Sequence, residues 1–147
     1  MLDYLSEPAT TNADNRLFVV NNTFVNDLGH GTFMQVGTAT TLPILAEKDI
    51  FAGGGTICSP ITPAPTPSHN YSGSNPMFVD AVNFDYRPLP GSPVINAGID
   101  PGSGAGQSLV PTEEYVQSTS NAVRSGDGKI DIGAYEFDDI VKDGFGG

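Results

Sequence analysis

The sequence predicts an all-β chain of repeated short strands, and three observations carry that prediction. Its apolar residues fall in short runs rich in Val, Ile, Phe and Thr, the composition of half-buried strands. The chain has 18 glycines and 12 prolines in 147 residues, which puts a turn after almost every run and leaves little room for helix. Two segments also match each other. Asn22-Thr23-Phe24-Val25 aligns with Asp49-Ile50-Phe51-Ala52 at an offset of 27, and Gly29-His30-Gly31-Thr32-Phe33 aligns with Gly53-Gly54-Gly55-Thr56-Ile57 at an offset of 24. Repeats of about 20 to 50 residues made of strands mark a solenoid, in which each repeat buries its apolar face on its neighbour.

Taken in order, residues 1–15 are polar and aperiodic and read as a lead-in. Residues 16–57 hold the repeated strands. Leu17-Phe18-Val19-Val20 is a strand stopped by Asn21-Asn22; Thr23-Phe24-Val25 resumes it; Asn26 to Gly31 is a loop; Thr32 to Val36 is a third strand. The plan repeats in Leu42 to Ala46 and Ile50 to Ala52. In the register set by the offsets, Asn22 over Asp49 puts polar side chains at an inward corner where they can satisfy backbone groups. Phe24 over Phe51 becomes an aromatic stack, and Leu17 and Val19 line the interior with Ile44 and Ala46. Lys48-Asp49 replaces the second Asn-Asn pair and interrupts an asparagine ladder. Residues 58–75 carry four prolines among small polar residues; since proline donates nothing to a sheet ladder, they read as an extended surface connection. Residues 76–137 read as a C-terminal unit. It has a strand ending at Asp80, turn-rich chemistry from Asp85 to Pro93, a short helical possibility over Pro111 to Val116, and a final strand from Lys129 to Phe137 by alternation. Residues 138–147 form a tail.

Six Lys plus Arg against 17 Asp plus Glu give a formal charge of -11. That surface repels phosphate backbones and anionic headgroups, which argues against nucleic acid and membrane surfaces and leaves a basic or calcium-bridged partner open. With one cysteine, Cys58, the chain has neither a disulfide framework nor zinc-cluster spacing. No stretch approaches the ~18 apolar residues of a membrane span. The opening Met1 to Pro8 has neither a basic n-region nor an apolar h-region, so the chain is expected to be either cytosolic or a piece of a longer exported protein.

Three blocks in order carry a family resemblance. Asn75-Pro76-Met77-Phe78-Val79-Asp80, then Asp85-Tyr86-Arg87-Pro88-Leu89-Pro90-Gly91-Ser92-Pro93-Val94-Ile95-Asn96-Ala97-Gly98, then Asp131-Ile132-Gly133-Ala134-Tyr135-Glu136-Phe137 resemble the C-terminal portion, of choice-of-anchor type, of bacterial right-handed parallel β-helix proteins in the pectate-lyase-like superfamily. The Asn21-Asn22-Thr23-Phe24 segment is similar to the body of such a helix. The resemblance implies terminal coils of a right-handed parallel β-helix with a C-terminal cap, in a secreted or cell-surface bacterial protein related to polysaccharide-active chains. Lyases of that group use calcium-binding carboxylates and a basic residue on one long sheet.

Asp27, His30, Lys48 and Asp49 are accordingly the carbohydrate-contact candidates, with a solvated, charged coil edge as the plainer reading of the same residues. Asp127-Gly128-Lys129-Ile130-Asp131 resembles the middle of an EF-hand loop, but the outer positions would be Val123 and Ala134, so a turn explains it without metal. There is no Gly-x-Ser-x-Gly elbow for a nucleophile. Asn21-Asn22-Thr23 and Asn70-Tyr71-Ser72 match the glycosylation pattern. The expected function is a non-catalytic end segment that contacts carbohydrate, with no cofactor and with self-association through an open N-terminal coil. Membership of a polysaccharide lyase or hydrolase whose active site lies upstream is one alternative; an adhesin or surface-display module is the other.

Overall fold

The computed structural model describes residues 1–5, 13–59, 66–116, 120–124 and 126–137. These residues are all-β, with no α-helix among them. The 138–147 tail, much of the lead-in and the centre of the Pro-rich stretch lie outside them.

Nine strands occupy the first half: β1 (Leu2–Tyr4), β2 (Leu17–Val20), β3 (Thr23–Asn26), β4 (Thr32–Val36), β5 (Ile44–Glu47), β6 (Ile50–Gly53), β7 (Thr56–Ser59), β8 (Thr66–Ser68) and β9 (Tyr71–Gly73). Each of β1 to β6 pairs in parallel with the strand three places on, so the nine form three sheets of three strands: β1-β4-β7, β2-β5-β8 and β3-β6-β9. The sequence offsets are the pairing register. Leu17 lies opposite Ile44 and Val19 opposite Ala46, Phe24 opposite Phe51, and Thr32 opposite Thr56.

Strand alternation sends Val19, Met34, Val36, Ile44, Ala46, Phe51 and Cys58 to one buried cluster. Phe24 and Phe51 stack within it at 5.3 Å and 4°, and Phe33 meets Phe51 edge-on at 5.3 Å. Ile50 and Ala52, on the opposite face of β6, belong to a second cluster with Val94 and Ile132. The β6 strand is therefore buried on both faces, as its unbroken Ile-Phe-Ala reads.

The passage from each strand of the β2-β5-β8 sheet to the next sheet turns on a single left-handed residue: Asn21 (φ 55°), Lys48 (φ 56°) and His69 (φ 53°). The following residue secures the turn. Asn22 N–H donates to Asp49 Oδ1 at 2.8 Å, Asp49 N–H donates to Asn70 Oδ1 at 2.8 Å, and Asn70 Nδ2 donates to the Ala46 carbonyl at 2.8 Å. The expected Asn22–Asp49 corner is thus a three-rung ladder. Asparagine suits the left-handed region, whereas lysine has no such preference; Lys48 is wholly buried, with its ammonium 2.7 Å from Glu47 Oε1.

Four expectations about local structure are corrected. Residues 66–68 and 71–73, read as part of a surface connection, are strands paired to β5 and β6. Proline is tolerated there because, among the described residues, β8 is an edge strand with one side free of ladder bonds. Residues 2–4, read as lead-in, pair with β4. The helical possibility at 111–116 is instead β14 (Glu113–Val116), antiparallel to β15 (Ser120–Val123). The alternating stretch 129–137 forms no strand. Scattered backbone bonds to Val94, Gly98 and Lys48, together with side chains, hold it instead of a ladder.

The second half also contains β10 (Phe78–Asp80) antiparallel to β11 (Asp85–Pro88) across a 3-10 turn at Ala81–Asn83, and a short hairpin of β12 (Ser103–Gly104) and β13 (Gln107–Ser108). Segment 131–134 lies along the left-handed corner. Asn21 Nδ2 donates to the Asp131 and Gly133 carbonyls at 2.9 and 3.3 Å, Gly133 N–H donates to the Lys48 carbonyl at 2.7 Å, and Ala134 N–H donates to Thr23 Oγ1 at 3.1 Å. Gly133 has φ 100°, and a Cβ there would sit 2.5 Å from Ile50 Cδ1, so glycine is required at this contact.

Candidate functional site

A groove of about 520 Å³ opens between β10–β11 and β14, a size that suits a small-molecule or oligomer subsite. Three separate segments build it. The first runs from Asp80 through the 3-10 turn to Arg87, the second is Glu114 to Val116, and the third is Tyr135. Asp80 caps the turn, its carboxylate accepting from Asn83 N–H at 3.3 Å and from Asn83 Nδ2 at 2.7 Å. The turn closes on Phe84 in the left-handed region, with its N–H donating to the Ala81 carbonyl at 3.2 Å. A left-handed phenylalanine is strained, and its ring is 66 % exposed rather than packed away. Tyr115 is 53 % exposed on β14. Behind Phe84, Tyr86 meets it edge-on at 6.4 Å and 84°, and Phe78 supports Tyr86 at 5.2 Å.

The polar groups have defined partners. Arg87 grips Asp85 with two parallel bonds, Nε to Oδ1 at 2.8 Å and Nη2 to Oδ2 at 2.6 Å. That guanidinium holds the Asp85 carboxyl below the usual carboxylate range, and Asp85 raises Arg87 in return. Glu114 Oε2 accepts from Glu136 N–H at 3.1 Å. Burial, reinforced by Asp85 and Glu114, pushes the Tyr135 phenol up, so it remains a hydrogen-bond donor. The groove therefore offers exposed ring faces beside fixed carboxylates and a guanidinium. Rings receive apolar or cationic faces, and charged groups form strong hydrogen bonds to hydroxyls and ammonium groups.

The four residues singled out from sequence do not meet at one place. Lys48 and Asp49 are 0 % exposed, so neither can touch a ligand from solvent; their role is in the buried corner. Asp27 is exposed beyond the far end of β3 and lines a second cavity of about 310 Å³ with Asn26, Gly53 and Asn75. His30 is exposed, its Nδ1 2.8 Å from the Leu28 carbonyl. Both asparagines of the glycosylation pattern are engaged inside the fold: Asn21 is buried against 131–133, and Asn70 is a rung of the ladder. Asp127 forms a turn, accepting from Lys129 N–H at 3.1 Å and from Asn96 Nδ2 at 3.2 Å. Among the described residues no group of three or more His, Cys, Asp or Glu is placed to hold a metal ion, and no helix is long and apolar enough to cross a membrane.

Sequence reasoning missed the groove. Its signal was the alternation of aromatic and charged residues in Phe84-Asp85-Tyr86-Arg87 and Glu113-Glu114-Tyr115, which no repeat period links. No protein-family model, curated protein or solved structure matches the chain.

Proposed function

We propose that this chain is the end of a right-handed parallel β-helix closed by a C-terminal cap, and that the cap contacts carbohydrate without catalysing its cleavage in a secreted or cell-surface protein. The helix reading is supported by three parallel sheets whose members recur every third strand, at spacings of 32, 27, 24 and 21 residues. Right-handedness follows from the ~98% preference for right-handed crossovers between parallel strands. Cap function is supported by the layer that residues 76–98 and 131–134 add over the outer face of β6.

One observation carries the carbohydrate reading: two exposed rings, Phe84 and Tyr115, share a groove with Asp80, Asp85, Arg87 and Glu114. A pyranose presents a C–H face to a ring and hydroxyls to charged acceptors and donors, so both halves of the groove are used at once. Titration calorimetry with a panel of neutral, amino and uronic oligosaccharides tests this. The expected result is binding of at least one class, weakened about tenfold or more by Tyr115→Ala, with no new reducing ends or unsaturated products. A flat panel would refute the carbohydrate reading; product formation would refute the non-catalytic one. The outer edges of β1, β2 and β3, unpaired among the described residues, are where a second copy would add, and a monomeric mass by light scattering at high concentration would count against that association.

A further inference from the structure

We infer that the groove between Phe84 and Tyr115 selects a glycan carrying free amino groups, a 2-amino-2-deoxy sugar chain, over neutral and uronic ones; this rests on the carbohydrate reading above. The argument begins with what the rings require. A sugar stacked on Phe84 and Tyr115 excludes water from the carboxylates beside them. Of those, Asp85 is the one that Arg87 grips through both carboxylate oxygens, and Glu114 also lies within the field of Arg87. Among the described residues Asp80 bonds to the neutral Asn83, and Glu114 accepts from the Glu136 backbone N–H. Asp80, Asp85 and Glu114 against Arg87 leave the groove with carboxylates in excess, which a neutral sugar would leave uncompensated and a uronate would add to. An ammonium group compensates them instead, and the ring faces favour the same sign of charge. The formal charge of -11 over the whole chain steers ligands in the same direction.

The experiment uses the full chain and three probes of matched length: a glucosamine oligomer, its N-acetylated form and an oligogalacturonate. At a pH below the amine's own pKa the glucosamine oligomer should bind about tenfold tighter than the acetylated one, the yield of one exposed ion pair with a cation–π contact. The preference should fall with added salt and vanish once the amine is deprotonated. Glu114→Gln keeps the acceptor for Glu136 N–H but removes the charge, and should weaken glucosamine binding far more than acetylated binding, erasing most of the preference. Asp80→Asn is the second variant and should act in the same sense.

Equal or tighter binding of the acetylated oligomer would overturn the charge selection and leave the carbohydrate reading standing. A preference undiminished in both variants would place the amine elsewhere on the acidic surface and overturn it too. Failure of all three probes to bind, with a neutral non-amino oligosaccharide bound, would again remove only the charge selection; failure across the whole panel would remove the carbohydrate reading with it.

Discussion

Replacing Asp49 by asparagine should make the protein less sensitive to alkaline pH, and the structure sets the size of the effect. Asp49 is wholly enclosed at the left-handed corner, and burial pushes its carboxyl up to about 7, against the opposing hydrogen bonds from Asn22. Glu47 raises it further and Lys48 lowers it. In the unfolded chain an aspartate titrates near 3.9, so the folded value is the higher one. The stability linked to this group is then fully present below about pH 4 and is lost as pH rises through about 7. The full span is about 4 kcal/mol, of which about 2 to 3 kcal/mol falls between pH 5 and pH 8. Asparagine keeps Oδ1 as the acceptor for Asn22 and does not titrate. Urea unfolding of both proteins at those two pH values measures the difference. The wild type should lose about 2 to 3 kcal/mol more than Asp49→Asn between them. The raised carboxyls of Asp131 and Glu136 act with the same sign in both proteins and cancel in the comparison. Equal losses in the two proteins, or a wild type that gains stability toward pH 8, would refute the assignment of a buried, titrating Asp49.

Gly133→Ala should destabilise by about 2 to 3 kcal/mol, because a Cβ at φ 100° meets Ile50 Cδ1 and Thr23 Oγ1; thermal unfolding checks it. Asn70→Ala should cost about 1 to 3 kcal/mol in urea unfolding, since the Asp49 amide loses its acceptor and the Ala46 carbonyl loses its donor. Phe84→Asn should stabilise the chain by about 1 kcal/mol by relieving a left-handed phenylalanine, while weakening oligosaccharide binding in calorimetry; a variant that loses stability would show that the ring is structural.

What was legible in the sequence was what repeats. Offsets of 27 and 24 residues are true registers because stacked strands need the same inward residue at the same height, which is why Phe24 finds Phe51 and Thr32 finds Thr56. The third member of each sheet escaped notice since β8 and β9 keep little of the pattern. Only Asn70, 21 residues after Asp49, carries it on, and an edge strand admits the prolines that disguise it. The alternation of Ile130, Ile132 and Ala134 misled for the opposite reason. It resembles a strand's, but Ile132 enters the second cluster while the backbone is held by Asn21, Lys48 and Thr23. Charge was the least legible property. Asp49 read both as an inward corner partner of Asn22 and as a carbohydrate contact, and Lys48 as a contact alone; the corner geometry encloses both.

A chain of hydrogen bonds runs from the groove to the segment that lines the buried corner. Arg124, with its side chain 4 % exposed, pairs with Glu136 at 2.5 Å and donates to the Asp131 and Gly133 carbonyls at 3.3 and 3.1 Å. Asp131 in turn accepts from Asn96 N–H at 2.6 Å and Phe137 N–H at 2.5 Å, so a single buried carboxylate ties two segments of the C-terminal half together. Glu136 N–H then reaches Glu114 in the groove, one residue from the exposed Tyr115. Removing one partner of a buried ion pair leaves the other uncompensated, which is why such pairs tolerate joint replacement better than single loss. Exposed ring faces serve a ligand only if their spacing is held, and rigid support from buried hydrogen bonds is what supplies that. The exposed Tyr115 is thus held one residue from a hydrogen-bonded chain that starts at the buried Arg124–Glu136 pair, so loss of that pair should reach the groove through Glu114.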